Sequence, residues 1–293
     1  MKRTQQSILP DGLIRQLQDV IGPAQVSADL LSLSAVAADA SHYLLMPGAL
    51  VRATTADDVA RAMAAARRHK VGLTFRSGGT SLSGQGLTDG IMVDTRRAFR
   101  GIEVLDEGRR VRVQPGATIR AVNTVLARYQ RKLGPDPASS VACTVGGVLA
   151  DNSSGMSCGT IANSYQTLES MVIVLASGTV LDTADPDADD KLCSTEPELV
   201  EILLRLRETC RRPEHAERIR HLFSMKNTMG YGLNSFLDHD SPSQILSHLM
   251  IGSEGTLGFI ASAVMRTLPV MPQISTALLH FPTLESAAKA LPA

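Results

Sequence analysis

The sequence predicts an α+β fold of two α/β sub-domains behind a helical N-terminal segment. Three observations carry this expectation. A strand–helix–strand pattern runs over residues 49–75. An apolar–polar alternation on both sides of Asp106-Glu107-Gly108 marks a hairpin over 101–116. A second strand–turn–strand covers 170–183, and a long alternating strand closes the pattern near 269. Parallel β-α-β units mixed with hairpins belong to α+β architectures.

Taken in order, residues 11–21 and 27–38 read as short helices, so residues 1–45 form the N-terminal helical segment. "ALVRA" (49–53) reads as a strand. Thr55 is a good N-cap, with Asp57 and Asp58 in the electropositive first turn. Val59, Ala62, Met63 and Ala66 recur at helical spacing, and Arg67, Arg68 and Lys70 suit the C-terminal end. "GLTF" (72–75) and "GIMVDT" (90–95) are strands, a helix runs from Thr118 to Arg131, and "LGPDPASS" (133–140) is a rigid turn. Residues 144–160 form a small-residue run, 182–191 an acidic solvated loop, and 196–211 a helix. The sub-domains are placed at about 46–116 and 117–269, leaving 270–293 as a separate tail.

Apolar residues make up 44% of the 293, enough for a substantial core, and aromatics only 3%, so that core is aliphatic. Lys plus Arg and Asp plus Glu balance at 29 each, which argues against a nucleic-acid partner. Cys143, Cys158, Cys193 and Cys210 match no zinc or iron–sulfur spacing and read as reduced cytosolic thiols. The start "MKRTQQSILPDG" shows no apolar signal region, and "MVIVLA" (171–176), the longest apolar run, is far short of a membrane span.

The stretch "FRSGGTSLSGQG" (75–86) holds four glycines and four hydroxyl side chains, and resists both helix and strand. Such loops cradle phosphates, because unhindered backbone N–H groups converge on the oxygens. It is not a P-loop: Gly79 and Gly84 have that spacing, but Gln85 and Gly86 replace the Lys and Ser/Thr. It is not a dinucleotide fingerprint either, since Asp89 takes the third glycine's place and a strand follows. No nucleophile elbow surrounds Ser81. Two further small-residue runs, 144–160 and 252–258, also adjoin apolar strands, so the three together suit one long phosphate-bearing ligand.

"RSGGTSLSGQGL", "PDPASSVACTVGGVLADNSSGMSCGT" and "KNTMGYGLNSFLDHDSPSQILSHLMIGSEGTLGFI" resemble the FAD-binding domain of the flavoprotein superfamily that includes vanillyl-alcohol oxidase. The likeness, over roughly 40–270, is to the D-lactate dehydrogenase, glycolate oxidase and D-2-hydroxyglutarate dehydrogenase branch, and "NSSGMSCGT" with "NSYQTLESM" resembles the long forms with a C-terminal iron–sulfur domain. The resemblance implies the PCMH-type FAD-binding fold. It places the FAD pyrophosphate on the backbone of Ser77, Gly78, Gly79, Thr80 and Ser81, with Arg76 either adding charge or anchoring the loop. Pro135, Ser140, Thr144, Gly146, Gly147, Asn152, Ser154 and Gly155 would follow the ADP and flavin edges, and Gly255 and Ile260 the adenine side. Glu254 would hold its own turn by accepting backbone N–H bonds, and Met156 and Cys158 would pack. Thr80 stands where some members attach flavin through His, so FAD should be noncovalent.

The implied reaction is hydride transfer from the α-carbon of a small 2-hydroxy acid, D-lactate favoured, to flavin N5, with electrons passing on to a quinone or carrier. The resemblance assigns no catalytic residue and no metal ligand here. "TALLHFPTLESAAKALPA" resembles only the first strand and helix of the relatives' substrate cap, with His280 structural in the strand. The chain therefore reads as truncated or split, its cap and iron–sulfur half supplied in cis or trans. The complete enzyme would be cytoplasmic, with peripheral attachment to the inner face of the membrane open. A non-catalytic FAD-binding subunit and a cell-wall precursor reductase on the same fold are the rival readings.

Overall fold

A computed structural model describes residues 9–291; positions 1–8 of the N-terminal segment and 292–293 of the tail lie outside the described residues. Helix α1 (Leu13–Ile21), strand β1 (Val26–Ser27), helix α2 (Leu30–Ser34), strand β2 (Ala49–Val51), helix α3 (Ala56–His69) and strands β3 (Leu73–Arg76) and β4 (Ile91–Asp94) build the first sub-domain. Its sheet runs β1-β2-β4-β3, with β2 and β3 parallel to β4 and β1 antiparallel at the edge.

Helix α3 forms for the reasons its sequence offers. Thr55 and Asp58 make a reciprocal capping box, Arg67, Arg68 and His69 close the last turn, and Lys70 turns the chain out at φ 54°. A cap of this kind is worth ~1 kcal/mol. The small buried face of Val59, Ala62, Ala65 and Ala66 lets the helix lie close on the sheet, and Leu13 and Leu17 of α1 join the same core.

The second sub-domain holds strands β5 (Ile102–Leu105) and β6 (Arg110–Val113), helix α4 (Ile119–Leu126), strand β7 (Arg131–Leu133), helices α5 (Val145–Asp151) and α6 (Ser164–Thr167), and strands β8 (Leu168–Leu175) and β9 (Val180–Asp182). Helices α7 (Ala188–Thr195), α8 (Pro197–Cys210), α9 (Pro213–Ser224), α10 (Ser235–Asp238) and α11 (Pro242–Leu249) and strand β10 (Gly258–Pro269) complete it, and helix α12 (Leu284–Lys289) follows in the tail. The sheet order is β5-β6-β10-β8-β9, and β7 pairs with the far end of β10. Strand β10 is the organiser: it pairs antiparallel with β6, β7 and β8, while its Phe259 and Ala261 also enter the first sub-domain's core.

Several expectations are corrected. Residues 27–38 are not one helix, because Val26 and Ser27 pair with Val51 and Leu50, and only after Asp29 caps Ser32 does a short helix begin. The N-terminal segment is thus stitched into the first sheet. The hairpin at 102–113 shares the sheet of the residues after 117, because β6 pairs with β10. The helix from Thr118 ends at Leu126; Gln130 takes φ 53°, and Arg131–Leu133 form β7. The small-residue run contains α5, and α7 begins inside the acidic loop at Ala188, anchored by buried Ala188 and Leu192. In the tail, α12 carries a capping box at Thr283, but no strand precedes it and His280 is exposed, not packed in a strand. Among the described residues no helix is long and apolar enough to cross a membrane.

Candidate cofactor cleft

The glycine-rich loop leaves the carboxyl end of β3, where open α/β sheets present ligand sites. Arg76, the last residue of β3, is buried and points behind the loop. Its guanidinium donates to the carbonyls of Gly86 (3.2 Å) and Ala38 (2.5 Å). Burial, with the nearby charge of Arg96, lowers its pKa from the usual arginine value, and Asp39 and Asp94 oppose this. Gly79 sits at φ 71°, and a side chain there would meet that guanidinium, with a Cβ 2.6 Å from Nη2. Gly78 touches the turn at 142–143, where a Cβ would come within 2.6 Å of the Ala142 carbonyl oxygen. The hydroxyls of Ser77 and Thr144 hydrogen-bond, tying the loop to the start of α5. The backbone N–H groups of Gly78, Gly79, Thr80, Ser81 and Leu82 have no acceptor among the described residues.

That loop forms one wall of a cleft of about 830 Å³ between the sub-domains. The opposite wall is built from residues 137–154, 226–228 and the turn leading into β10. Phe75 and Phe259 line it and meet ring to ring at 5.1 Å, with Phe99 edge-on to Phe259 at 5.3 Å. The charged lining residues are Asp151, Glu254 and Lys226. The Lys226 ammonium donates to the carbonyls of Ser154 (3.3 Å) and Gly155 (3.2 Å). Glu254 takes φ 53°, and its N–H donates to the Ala150 carbonyl at 2.8 Å, which brings its carboxyl to that of Asp151. Burial, reinforced by the adjacent Asp151 carboxyl and its charge, pushes Glu254 up to about 7. Glu254 therefore does not brace its own turn by accepting backbone N–H bonds, as the sequence suggested; it belongs to a carboxyl pair.

Of the residues singled out in the sequence, Ser77, Gly78, Gly79, Thr80, Ser81, Thr144, Gly146, Gly147, Ser154, Gly255 and Ile260 line this one cleft. Arg76, Pro135, Ser140, Asn152 and Gly155 do not. Arg76 anchors the loop, Pro135 is buried, and the neighbours of Ser140, from Pro137 to Ser139, reach the cleft in its place. Asn152 is the left-handed C-cap of α5 at φ 53° and faces a smaller pocket with Asn234. Gly155 lies against Asp136. Met156 is fully exposed rather than packed, whereas Cys158 is buried. Sequence reasoning assigned no role to Lys226, Asp151, Phe75 or Phe259; all four lie within or beside the small-residue motifs, but no spacing marked them as part of the site.

The profile of the family described as FAD binding domain matches residues 47–184. The chain contains a FAD-binding domain. It is 33% identical over 254 residues to the D-2-hydroxyglutarate dehydrogenase of Pseudomonas putida, which covers 84% of this chain and 25% of that protein. It is 25% identical over 243 residues to the D-lactate dehydrogenase of Archaeoglobus fulgidus, covering 81% of this chain and 42% of that one. The solved structure of alkyldihydroxyacetonephosphate synthase superposes with a TM-score of 0.59 at 19% identity, over 90% of this chain and 42% of that chain, a likeness of fold. The fold is the PCMH-type FAD-binding fold expected from the motifs. The chain spans about a quarter of the length of the D-2-hydroxyglutarate dehydrogenases it matches.

The residues present fit FAD on structural grounds. The fan of free amides at 78–82 supplies the donors a diphosphate needs, at a place where glycine lets it approach. Ser253 is 2% exposed, lines the cleft, and its hydroxyl has no partner among the described residues. A buried hydroxyl without a partner is costly unless a ligand satisfies it.

Proposed function

We propose that this chain is the FAD-binding module of a flavin-dependent 2-hydroxy-acid dehydrogenase and that it holds FAD noncovalently. The observation that carries the reading is the set of unpaired amides at Gly78–Leu82 facing a cleft of about 830 Å³ inside a FAD-binding domain. The names of the relatives at 33% and 25% identity support a D-2-hydroxy acid as substrate, with D-2-hydroxyglutarate and D-lactate as the two candidates.

When bound, FAD supplies a two-electron acceptor for the α-hydrogen of the hydroxy acid. The chain's own residues do the holding. Amides 78–82 receive the diphosphate, the Ser77–Thr144 contact fixes the loop against α5, and Phe75 and Phe259 keep the inner wall dry. Thr80 offers no imidazole for a covalent link.

The test is a fluorescence titration of purified protein with FAD, followed by anaerobic mixing of the complete enzyme with D-lactate and with D-2-hydroxyglutarate. Saturable 1:1 binding and bleaching of the flavin absorbance by one of the two acids support the reading. Failure to bind FAD sinks the module assignment, and binding without bleaching by either acid sinks the substrate class.

A further inference from the structure

Asp151 is the last residue of α5, and the turn at 252–254 folds back onto that helix end through Gly252 N–H to Leu149 O (3.1 Å) and Glu254 N–H to Ala150 O (2.8 Å). The result sets the Asp151 and Glu254 carboxyls as neighbours on the wall of the cofactor cleft, with the Ser153 hydroxyl bonded to Asp151. Beside them is the buried hydroxyl of Ser253, which has no partner among the described residues. The one cation lining the cleft among the described residues is Lys226. The remaining titratable lining group is the Cys143 thiol, which burial pushes up and so keeps neutral. Arg76 lies behind the loop with Asp39, Asp94 and Arg96 and does not line the cleft.

With both carboxyls ionised, the lining carries a net charge of −1 (Asp151 and Glu254 against Lys226), and with one proton on the pair it is neutral. FAD brings a dianionic diphosphate into this cleft. We infer that the Asp151–Glu254 pair is a proton-carrying part of the cofactor site: FAD enters together with one proton, which the pair holds in its shared hydrogen bond. The proton comes from solvent and no bond other than O–H forms.

Both effects of occupancy point the same way. Glu254 is partly desolvated yet keeps surface open to the cleft before binding, so a bound cofactor removes more water from it and adds negative charge, and each disfavours the second carboxylate. Free Glu254 already titrates at about 7, so the window lies at neutral pH and above. The sign follows: a group whose pKa rises on binding favours the complex below its free value, and that advantage is lost as pH climbs through the bound value. A rise of one unit weakens FAD by about tenfold across the window.

The inference rests on the FAD reading, and the experiment separates the two. FAD affinity is measured by fluorescence titration from pH 6 to 9, where FAD itself does not titrate. Calorimetry at pH 7.2 in PIPES and in Tris, buffers of low and high ionisation enthalpy, counts protons. Wild type should weaken by roughly eightfold from pH 6 to 9 and take up a measurable fraction of a proton. Glu254→Gln should bind FAD with a flat pH profile and no proton uptake. Asp151→Asn, which removes the neighbouring charge, should move the midpoint to lower pH. A wild-type affinity independent of pH, or an unchanged slope in Glu254→Gln, overturns the inference while leaving the FAD reading intact. No FAD binding at any pH removes both.

Discussion

Gly79→Val is the sharpest perturbation of the first loop, because two costs fall on one atom. At φ 71° a non-glycine residue sits in the left-handed region, which costs roughly 1–2 kcal/mol, more for a β-branched side chain. The new Cβ would also lie 2.6 Å from Nη2, 2.9 Å from Cζ and 3.0 Å from Nε of Arg76. That guanidinium cannot swing aside cheaply, since it holds the Gly86 and Ala38 carbonyls. Breaking a hydrogen bond from a charged donor costs ~1.5–3 kcal/mol. Strain plus one broken bond therefore comes to ~3–5 kcal/mol against the native loop, and each 1.4 kcal/mol is tenfold in affinity. Fluorescence titration should show FAD weakened by at least about a hundredfold. Two controls separate the causes. Gly159→Val places the same side chain at φ 55° with nothing within 4 Å and away from the cleft, so it carries strain alone. Asp187→Ala changes an exposed residue outside the cleft. A Gly79→Val affinity within threefold of Asp187→Ala would remove the 78–82 amides from the site.

Acid precipitation of FAD-loaded protein should leave all flavin in the supernatant, since Thr80 offers no linking ring; yellow colour retained in the washed pellet refutes this. Phe236→Ala should cost ~3–5 kcal/mol in urea unfolding, because Phe236 is 2% exposed at the centre of the larger core; a loss under about 1 kcal/mol would mean that the core collapses around the gap. His248 is 5% exposed, and burial together with the His239 ring 3.9 Å away pushes it down to about 4. Its folded pKa lies below the unfolded value near 6.5, so the unfolded chain takes the proton first and stability is present above about 6.5 and lost as pH falls toward 4. The loss from this residue is about 3 kcal/mol. His248→Phe, compared with wild type by urea unfolding at pH 7.5 and 4.5, should shrink the acid-induced loss by about that much, and an unchanged loss would place the acid sensitivity elsewhere.

What the sequence made legible was whatever its local chemistry decides. Helix α3 was readable from its cap, its charges and its apolar spacing, and the β5–β6 hairpin from its alternation. What stayed hidden was decided by tertiary packing. Helix α5 carries Gly146 and Gly147, each costing ~1 kcal/mol of helix propensity, so the run reads as loop. The structure gives the reason for one of them: a Cβ on Gly146 would press within 2.5 Å of the Pro115 Cβ, so glycine is there for contact and not for flexibility. Helix α7 hides behind Asp187, Asp189 and Asp190, yet buried Leu192 and the Asp189 carboxylate, which accepts from Ser243 N–H at 2.8 Å, hold it to α11. The hairpin itself was read, but its allegiance was not, because only the register of β10 says which sheet it joins.

The same division runs through the cleft. The glycine loops announce themselves because a backbone that must face a ligand excludes side chains, and that exclusion is written in composition. The side chains that set the cleft's charge leave no such mark. Lys226 is one lysine in a polar stretch, and it matters only because the chain brings it to the Ser154 and Gly155 carbonyls. Glu254 is one glutamate between glycines, and its left-handed turn against the end of α5 makes it half of a pair with a residue far away in sequence. Arg76 shows the converse. An arginine opening a glycine-rich loop invites the reading of a phosphate ligand, but its donors are turned toward Gly86 and Ala38. Its charge supports the loop's shape and leaves Lys226 as the cation that lines the cleft among the described residues.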